Sequence, residues 1–130
     1  LRPHSVKEFQ DYCYRKKVDI DLVSKWTKEF QERRYLDDEK FALWFCEQRL
    51  KKGKSSQMVQ AELRQKGVST EIYRKIVLEQ ANDESSLTQL VQKMRSRPRY
   101  QDDKKLIAYL LGKGFRYSDV QQAIKHESEA

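Results

Sequence analysis

The few side chains that could perform catalysis are widely separated in this sequence. His4 and His126 lie near opposite ends of the chain in polar surroundings, so a paired general base or a metal site would require both ends to meet. Neither a Walker phosphate loop nor a glycine-rich dinucleotide motif occurs. We therefore predict no enzyme, no catalytic residue, no metal site and no cofactor.

The cysteines and one acidic pair have structural interpretations. Cys13 and Cys46 lie within apolar helical patterns and form no C-x-x-C pair, which favours buried free thiols over a disulfide framework. Asp37 and Asp38 could be imagined as metal ligands, but capping of a helix start explains both residues with fewer assumptions.

The sequence also bears on location. It has neither an apolar run near the ~18 residues that span a bilayer nor a signal-peptide pattern, so we expect a cytoplasmic protein without membrane contact. Because the sequence begins at Leu1 without Met and reaches a helix cap almost at once, we expect an upstream portion of the protein.

Basic side chains recur in the turns between the expected helices. The formal net charge of +7 permits an anionic partner such as nucleic acid, but it also simply keeps proteins soluble. A solvated helix surface explains any one of these residues, whereas stacked repeats would align them into a stripe along one surface that could bind nucleic acid. Tyr100, Tyr109 and Tyr117 could stack on bases or close a small helical core. The candidate residues are Arg49, Lys51, Lys52, Lys54, Arg64, Lys66, Arg74, Lys75, Arg95, Arg97, Arg99, Lys104, Lys105, Lys113 and Arg116.

The hydrophobic pattern predicts an all-α protein of about eight helices. Only four Gly and two Pro are present, and apolar residues recur at helical spacing. The central helix is expected from Asp37 to Lys52, with Leu36 and Phe41 as a hydrophobic staple. From Phe41 to Cys46 no side chain is polar, so we expect this helix to be covered on most sides.

Capping signals place the other helices. The expected starts are Ser5 with Glu8, Asp19, Ser55, Ser69 or Thr70, Ser86 with Gln89, Asp102, and Ser118 with Gln121. Residues 82–85 are predicted to be a polar break, and Gly53, Gly67, Gly112 and Gly114 are predicted to be helix C-caps.

The helices form an internal repeat. Ser5, Phe9, Cys13, Lys16 and Val18 superpose at a constant offset on Ser55, Val59, Leu63, Lys66 and Val68, and these superpose on Asp102, Leu106, Leu110, Lys113 and Phe115. This pattern predicts three tandem three-helix repeats at residues 1–34, 35–83 and 84–130 in an elongated or curved array. The first repeat lacks its first helix.

Several motifs together resemble the RecX family of bacterial regulators of the RecA recombinase. They are Y-L-D-D-E-K-F-A at 35–42, R-L-K-K-G at 49–53, V-x-x-E-L-R-Q-K-G-V at 59–68, L-L-G-K-G-F at 110–115 and the opening R-P-x-S-x-x-E at 2–8. Lys17 replaces the usual turn glycine, and one extra residue is expected between Phe115 and Val120. The structural signature comprises Tyr35, Leu36, Asp37, Asp38, Phe41, Ala42, Gly53, Leu63, Gly67, Gly114 and Phe115.

The resemblance implies a monomeric, non-enzymatic regulator that binds RecA filaments on single-stranded DNA. It implies inhibition of ATP hydrolysis, strand exchange and coprotease activity, by filament capping or destabilisation, in recombination, DNA repair and the SOS response. Weak direct DNA binding is also expected. The alternative is an autonomous DNA-binding module in which one capped helix acts as a recognition helix.

Overall fold

The computed structural model describes residues 2–129, which form eight α-helices and one 3-10 turn without any strand. The all-α prediction is therefore confirmed. The expectation about residues before Leu1 lies outside the described range. The first unit contains α1 (Val6–Arg15) and α2 (Ile20–Glu32), the second contains α3 (Asp38–Lys51), α4 (Ser56–Gln65) and α5 (Thr70–Gln80), and the third contains α6 (Asp83–Arg95), the 3-10 turn (Pro98–Gln101), α7 (Asp103–Gly112) and α8 (Tyr117–Glu129).

Most helices begin at the predicted caps. Ser5 Oγ accepts the Glu8 N–H at 3.0 Å while a Glu8 carboxylate oxygen accepts the Ser5 N–H at 3.1 Å, forming a complete capping box. Asp19, Asp37, Ser55 and Asp102 also cap their helices as predicted, and Ser69 rather than Thr70 caps α5. These interactions are local, which is why the sequence reveals them.

Two predicted helix starts are wrong. The side chain of Asn82 accepts the Ser85 N–H at 3.1 Å, so α6 begins at Asp83 and the predicted polar break is its first turn. Ser86 therefore lies inside α6. Helix α8 begins at Tyr117 rather than after a Ser118 cap, because the Val120 N–H already bonds the carbonyl of Arg116 at 3.0 Å.

The turns after α1, α4 and α7 share one left-handed residue. Gly67 and Gly114 have φ of 82° and 97°, and Lys17 takes the same conformation with φ of 59° although it carries a side chain. Gly112 ends α7 without a positive φ, so its prediction as a C-cap is wrong. Within this chain, α8 starts as many positions after its left-handed turn residue as α5 does, and the extra residue relative to the family pattern stays a prediction.

Helix α3 lies at the centre of the second unit but is not covered on every side. Phe41, Ala42 and Cys46 are fully buried, whereas Leu43 is 41% exposed, so the expectation that most sides are covered fails at that position. Both cysteines are buried free thiols, as predicted. Burial raises the pKa of the Cys46 thiol to about 11, which keeps it protonated at neutral pH.

The apolar cores lie within units. In the second unit, residues of α3, α4 and α5 pack into one cluster, and in the third unit residues of α6, α7 and α8 form another. The signature residues Leu36, Leu63 and Phe115 are buried, which gives them a structural role. The repeat limits at residues 34 and 83 stay predictions.

Candidate nucleic-acid interface

Two of the candidate basic residues are held in interhelical ion pairs. Arg49 of α3 bonds Glu62 of α4 at 2.7 Å, and the side chains of both residues are mostly buried. Lys66, at the end of α4, bonds Glu8 of α1 at 3.3 Å and so links the first two units. These cations stabilise the array, and each already has a carboxylate partner.

The Arg95 side chain is also held by hydrogen bonds within the third unit. Its Nη1 donates to the carbonyl oxygens of Tyr100 and Gln101, each at 2.9 Å, while Nε donates to Glu127 at 3.0 Å. The hydrogen bond to Asp103 raises the pKa of the Arg95 guanidinium. Arg95 thus joins α6 to the 3-10 turn, α7 and α8.

Glu8 accepts hydrogen bonds from residues of both the first and the second unit. Burial alone would raise its pKa, but hydrogen bonds from Arg2, from the Ser5 N–H and from Lys66 lower the pKa to about 2. Its carboxylate is therefore ionised across the physiological range, and Arg2 lies 2.9 Å from it.

Two aspartates connect successive units in the same way. Asp38 opens α3 and accepts the N–H of Val6 at 2.8 Å, and Asp83 opens α6 and accepts the N–H of Ser56 at 2.9 Å. Each thereby satisfies a free amide at a helix start of the preceding unit. Burial raises the pKa of the Asp38 carboxyl. The sequence interpretation assigned Asp38 to its own helix; its correspondence with Asp83, also the first helical residue after a cap, was the available signal.

The turn after α7 packs tightly on the second unit. Ser55 donates its N–H to the carbonyl of Lys113 at 2.9 Å and its hydroxyl to the carbonyl of Gly114 at 2.8 Å. A Cβ at Gly114 would lie 2.5 Å from Ser55 Oγ and 2.7 Å from Met58 Cβ. The same turn after α4 places Gly67 against Lys7, where a Cβ would lie 2.6 Å away.

Several remaining candidates gather around α7, in a region that we call the α7 cationic patch. The rings of Tyr100 and Tyr109 pack at an angle of 53°, with centroids 5.1 Å apart. The Arg99 guanidinium lies 5.8 Å from the Tyr100 ring, and Lys113 Nζ lies 5.4 Å from the Tyr109 ring. The patch comprises Arg99, Tyr100, Lys104, Lys105, Tyr109 and Lys113, all but the last of which line one shallow depression.

The tyrosines of the patch are half-buried and occupied by their own contacts. Tyr100 and Tyr109 pack against the core of the third unit, with cations over their rings, which matches the core-closing alternative better than free base stacking. Tyr117 is 53% exposed, and its hydroxyl accepts the Gln121 amide N–H at 2.9 Å.

The other candidate cations make weaker contacts within the protein. Lys51 bonds Glu47 on its own helix at 3.1 Å, an exposed pair of small energy, and Arg116 approaches the Gln57 side chain at 3.5 Å. Across residues 2–129, no ion pair involves Lys52, Lys54, Arg64, Arg74, Lys75, Arg97, Arg99, Lys104, Lys105, Lys113 or Arg116.

The described part of the chain also lacks a cluster of three His, Cys, Asp or Glu residues suited to a metal ion. Asp37 uses its carboxylate to accept the Glu39 N–H at 3.0 Å. Within residues 2–129, the helices are too short or too polar to cross a bilayer.

Residues 37–75 match the family model for the second three-helix domain of RecX. A regulatory protein RecX from Salmonella paratyphi A is 33% identical over 108 residues, which cover 80% of this chain and 63% of that protein. A regulatory protein RecX from Clostridium botulinum is 29% identical over 127 residues, covering 92% of this chain and 59% of that protein. The chain thus spans about three fifths of the length of these relatives. The crystal structure of RecX from Lactobacillus salivarius shares the fold, with a TM-score of 0.77 at 17% identity over 99% of this chain and 88% of that one.

Proposed function

Because this chain belongs to the RecX family, we propose that it regulates the RecA recombinase by binding RecA filaments assembled on single-stranded DNA. It acts as a cytoplasmic monomer, without catalysis of its own and without a cofactor. It lowers the ATP hydrolysis, strand exchange and coprotease activity of RecA, and so acts in DNA recombination, DNA repair and the SOS response. The named relatives support the regulatory role.

The α7 cationic patch is the observation that supports contact with a DNA-containing partner. Its cations form no ion pair within residues 2–129, so their charge is available to phosphates. Of the nearby acids, Asp103 pairs with Arg95, and Asp102 caps α7 by accepting the Lys104 N–H at 2.9 Å. Tyr100 and Tyr109 position cations over their rings, which reduces the conformational freedom lost on binding.

The inhibitory step is either capping of the growing filament end or destabilisation of the whole filament. Capping leaves preformed filaments intact and blocks new growth, whereas destabilisation shortens preformed filaments. Adding the protein before or after filament assembly separates the two mechanisms. In both, the helical array lies along the filament groove with its basic surface toward the DNA.

The primary test is ATP hydrolysis by RecA on single-stranded DNA. Substoichiometric or near-stoichiometric amounts of this protein should slow hydrolysis. Full, unchanged hydrolysis under conditions where binding to the filament is demonstrated would contradict the inhibitory role.

Charge reversal tests the assigned surface. The double variant Lys104→Glu/Lys105→Glu should weaken filament binding roughly tenfold or more, while the circular-dichroism spectrum stays helical. Lys25→Glu/Lys28→Glu on α2 is the matched control, because it makes the same change in net charge at exposed positions away from the patch. Reversal of Lys51, Lys52 and Lys54 asks whether the turn after α3 belongs to the same surface. Equal weakening by the control would show that only net charge matters.

Autonomous DNA binding is the second candidate, and the same patch favours it. A fluorescence titration without RecA distinguishes the two functions. Tight, sequence-selective binding at physiological salt would indicate an independent DNA-binding module. We expect weak binding whose affinity falls steeply with salt concentration, as phosphate contacts alone produce.

A further inference from the structure

A groove between α6 and α8 of the third unit differs in charge from the rest of the molecule. Its volume is about 490 Å³, and its floor is formed by the buried side chains of Leu87 and Phe115 together with half-buried Ala123. Glu84 and Asp119 lie along it at exposed positions. The groove thus places acids beside apolar side chains, in a chain whose formal net charge is +7.

The second unit fills the corresponding space with larger apolar side chains. The two units can be aligned on the caps of their first helices, Asp37 and Asn82, and on their left-handed glycines, Gly67 and Gly114. Three apolar residues of the second unit are then replaced in the third by smaller or charged ones: Leu43 by Thr88, Ile72 by Asp119, and Ile76 by Ala123. The groove is therefore a product of the third unit's own side chains.

The ends of the chain do not create this groove. The second unit has a neighbouring unit on each side, and its corresponding face is still open to solvent, because Leu43, Lys75 and Glu79 are exposed. Contacts between successive units instead involve helix starts and turns, as at Asp83 and Gly114. A further unit stacked in the same manner would leave the face between α6 and α8 uncovered.

Two of the acids that line the groove have no cationic partner within residues 2–129. Asp83 accepts hydrogen bonds from the N–H and the hydroxyl of Ser56, whereas Glu84 and Asp119 form no ion pair in that range. Arg116 shares an adjoining depression with Asp83 and Asp119 but pairs with neither. The carboxylates of Glu84 and Asp119 are therefore available to a ligand.

The lining of the groove holds little positive charge. None of the described residues that line it is Lys or Arg, and Gln122 stands where the second unit has Lys75. His126 lies at the edge, and its Nδ1 is 4.0 Å from a carboxylate oxygen of Glu129, whose charge would offset a proton on the imidazole. The groove therefore carries a net negative charge.

We propose that this groove binds a basic peptide segment of a partner protein. The aliphatic part of a Lys or Arg side chain lies over Leu87 and Phe115, and its charged end pairs with Asp119 or Glu84. Lys and Arg combine an apolar stem with a charged end, which complements an apolar floor bordered by acids. The volume of the groove lies in the usual range for ligand sites.

The charge of the groove separates it from the proposed contact with DNA. Glu84 and Asp119 would repel the phosphates of a nucleic-acid strand, so this face does not suit the same partner as the α7 cationic patch. The residues that line the groove also differ from those of the patch. The groove proposal therefore does not rest on the RecA proposal.

The test uses fluorescence polarisation with the full chain and the labelled peptide Gly-Ala-Lys-Leu-Arg-Ala-Gly. We expect saturable binding that is lost when the Lys and Arg of the peptide are changed to Glu. Binding of the Glu peptide with equal affinity, or displacement of the basic peptide by an equal concentration of spermine, would overturn the proposal. Absence of any saturable binding would also overturn it.

Variants that copy the second unit locate the site. Asp119→Ile removes a carboxylate and Ala123→Ile fills the floor, so each should weaken peptide binding roughly tenfold without loss of helicity. Asp21→Ile is the matched control, because it removes an exposed acid from the first turn of α2. Lys104→Glu/Lys105→Glu should also retain saturable peptide binding, so failure of the RecA proposal and failure of the groove proposal give different results. Unchanged affinity in both groove variants would contradict the assignment.

Sedimentation equilibrium separates a partner peptide from a second copy of the chain, whose own basic turns could enter the groove. We expect a monomer at the concentrations of the titration. Self-association that Asp119→Ile abolishes and Asp21→Ile retains would show that a second copy fills the groove, and it would overturn the proposal of a partner peptide.

Discussion

The junction between the first and second units can be compared position by position with the junction between the second and third. At each junction, an aspartate at the start of the later unit accepts an N–H from the earlier unit: Asp38 from Val6, and Asp83 from Ser56. At each, the later unit's left-handed glycine lies against a helix of the earlier unit: Gly67 against Lys7 of α1, and Gly114 against Met58 of α4. The backbone arrangement is therefore shared.

The side chains at the two junctions differ in chemistry. Glu8 lies half-buried between Arg2 and Lys66 at the first junction, while Met58 lies against Gly114 at the corresponding place in the second. Uncharged hydrogen bonds from Ser55 complete the second junction. The backbone contacts set the stacking of the units, so the remaining side chains can be ionic or neutral. The first junction should depend on pH, and the second mainly on shape.

The largest expected effect is at the neutral junction. Gly114→Ala places a Cβ 2.7 Å from Met58 Cβ on a backbone with φ of 97°, so we expect a loss of about 3 kcal/mol in the free energy of unfolding. Urea titration measures it. The control Gly112→Ala, where nothing lies within 4 Å of the added atom, should be neutral or raise stability by up to about 1 kcal/mol. Equal destabilisation by both variants would contradict the tight contact.

The ionic junction should be sensitive to acid. The pKa of Glu8 is lowered in the folded state from 4.5 to about 2, so its contribution is fully present above pH 4.5 and is lost as the pH falls toward 2. We expect about 2 kcal/mol, after allowing for screening of the exposed partner Arg2. Comparing urea titrations of the native chain and Glu8→Gln between pH 7 and pH 2 measures this loss. Parallel stability curves for the two proteins would contradict it.

The shared aspartate contacts should show a graded effect. Asp83→Ala removes acceptors for both the N–H and the hydroxyl of Ser56, whereas Asp38→Ala removes one acceptor, for the Val6 N–H. We expect losses of about 1.5 and about 1 kcal/mol in the free energy of unfolding. Hydrogen exchange should be faster at Ser56 in the first variant and at Val6 in the second. A larger loss in Asp38→Ala than in Asp83→Ala would contradict this order. It would mean that the cost of burying the Asp38 carboxylate offsets less of its hydrogen bond than we infer.

The smallest effect concerns the turn of the first unit. Lys17 occupies the left-handed position that Gly67 and Gly114 hold in the other two units. Lys17→Gly should therefore raise the free energy of unfolding by about 0.5 kcal/mol, because relief of backbone strain exceeds the added entropy of the unfolded chain. Thermal unfolding compared with Lys16→Gly, at the preceding position with φ of −84°, provides the control. Destabilisation by both variants would contradict the inference that the backbone at Lys17 is strained.

Local signals explain what the sequence could predict. Capping side chains contact amides two or three residues away, so Ser5, Asp37 and Ser55 identify their helix starts without any tertiary structure. Asn82 shows the limit of this approach, because the Ser86 and Gln89 pattern nearby resembled a cap equally well.

Contacts between units could not be predicted in the same way. Nothing near Lys66 in the sequence indicates that it bonds Glu8, and nothing near Asp38 indicates that it accepts the Val6 N–H. Three cations of the candidate surface, Arg49, Lys66 and Arg95, proved to be engaged in pairs between helices. The α7 cationic patch was partly visible, since its residues lie within one short segment of the chain.

The paired aspartates have a consequence for how such a chain can grow. The acceptor Asp38 lies at the start of the second unit and the donor N–H of Ser56 at the start of a later helix in the same unit, so this segment carries both halves of the joint. A further copy inserted in tandem would find a complementary neighbour on each side without any new substitution. Lengthening by duplication is thus built into the junction, and the side chains around it can diverge afterwards toward charge, as at Glu8, or neutrality, as at Met58.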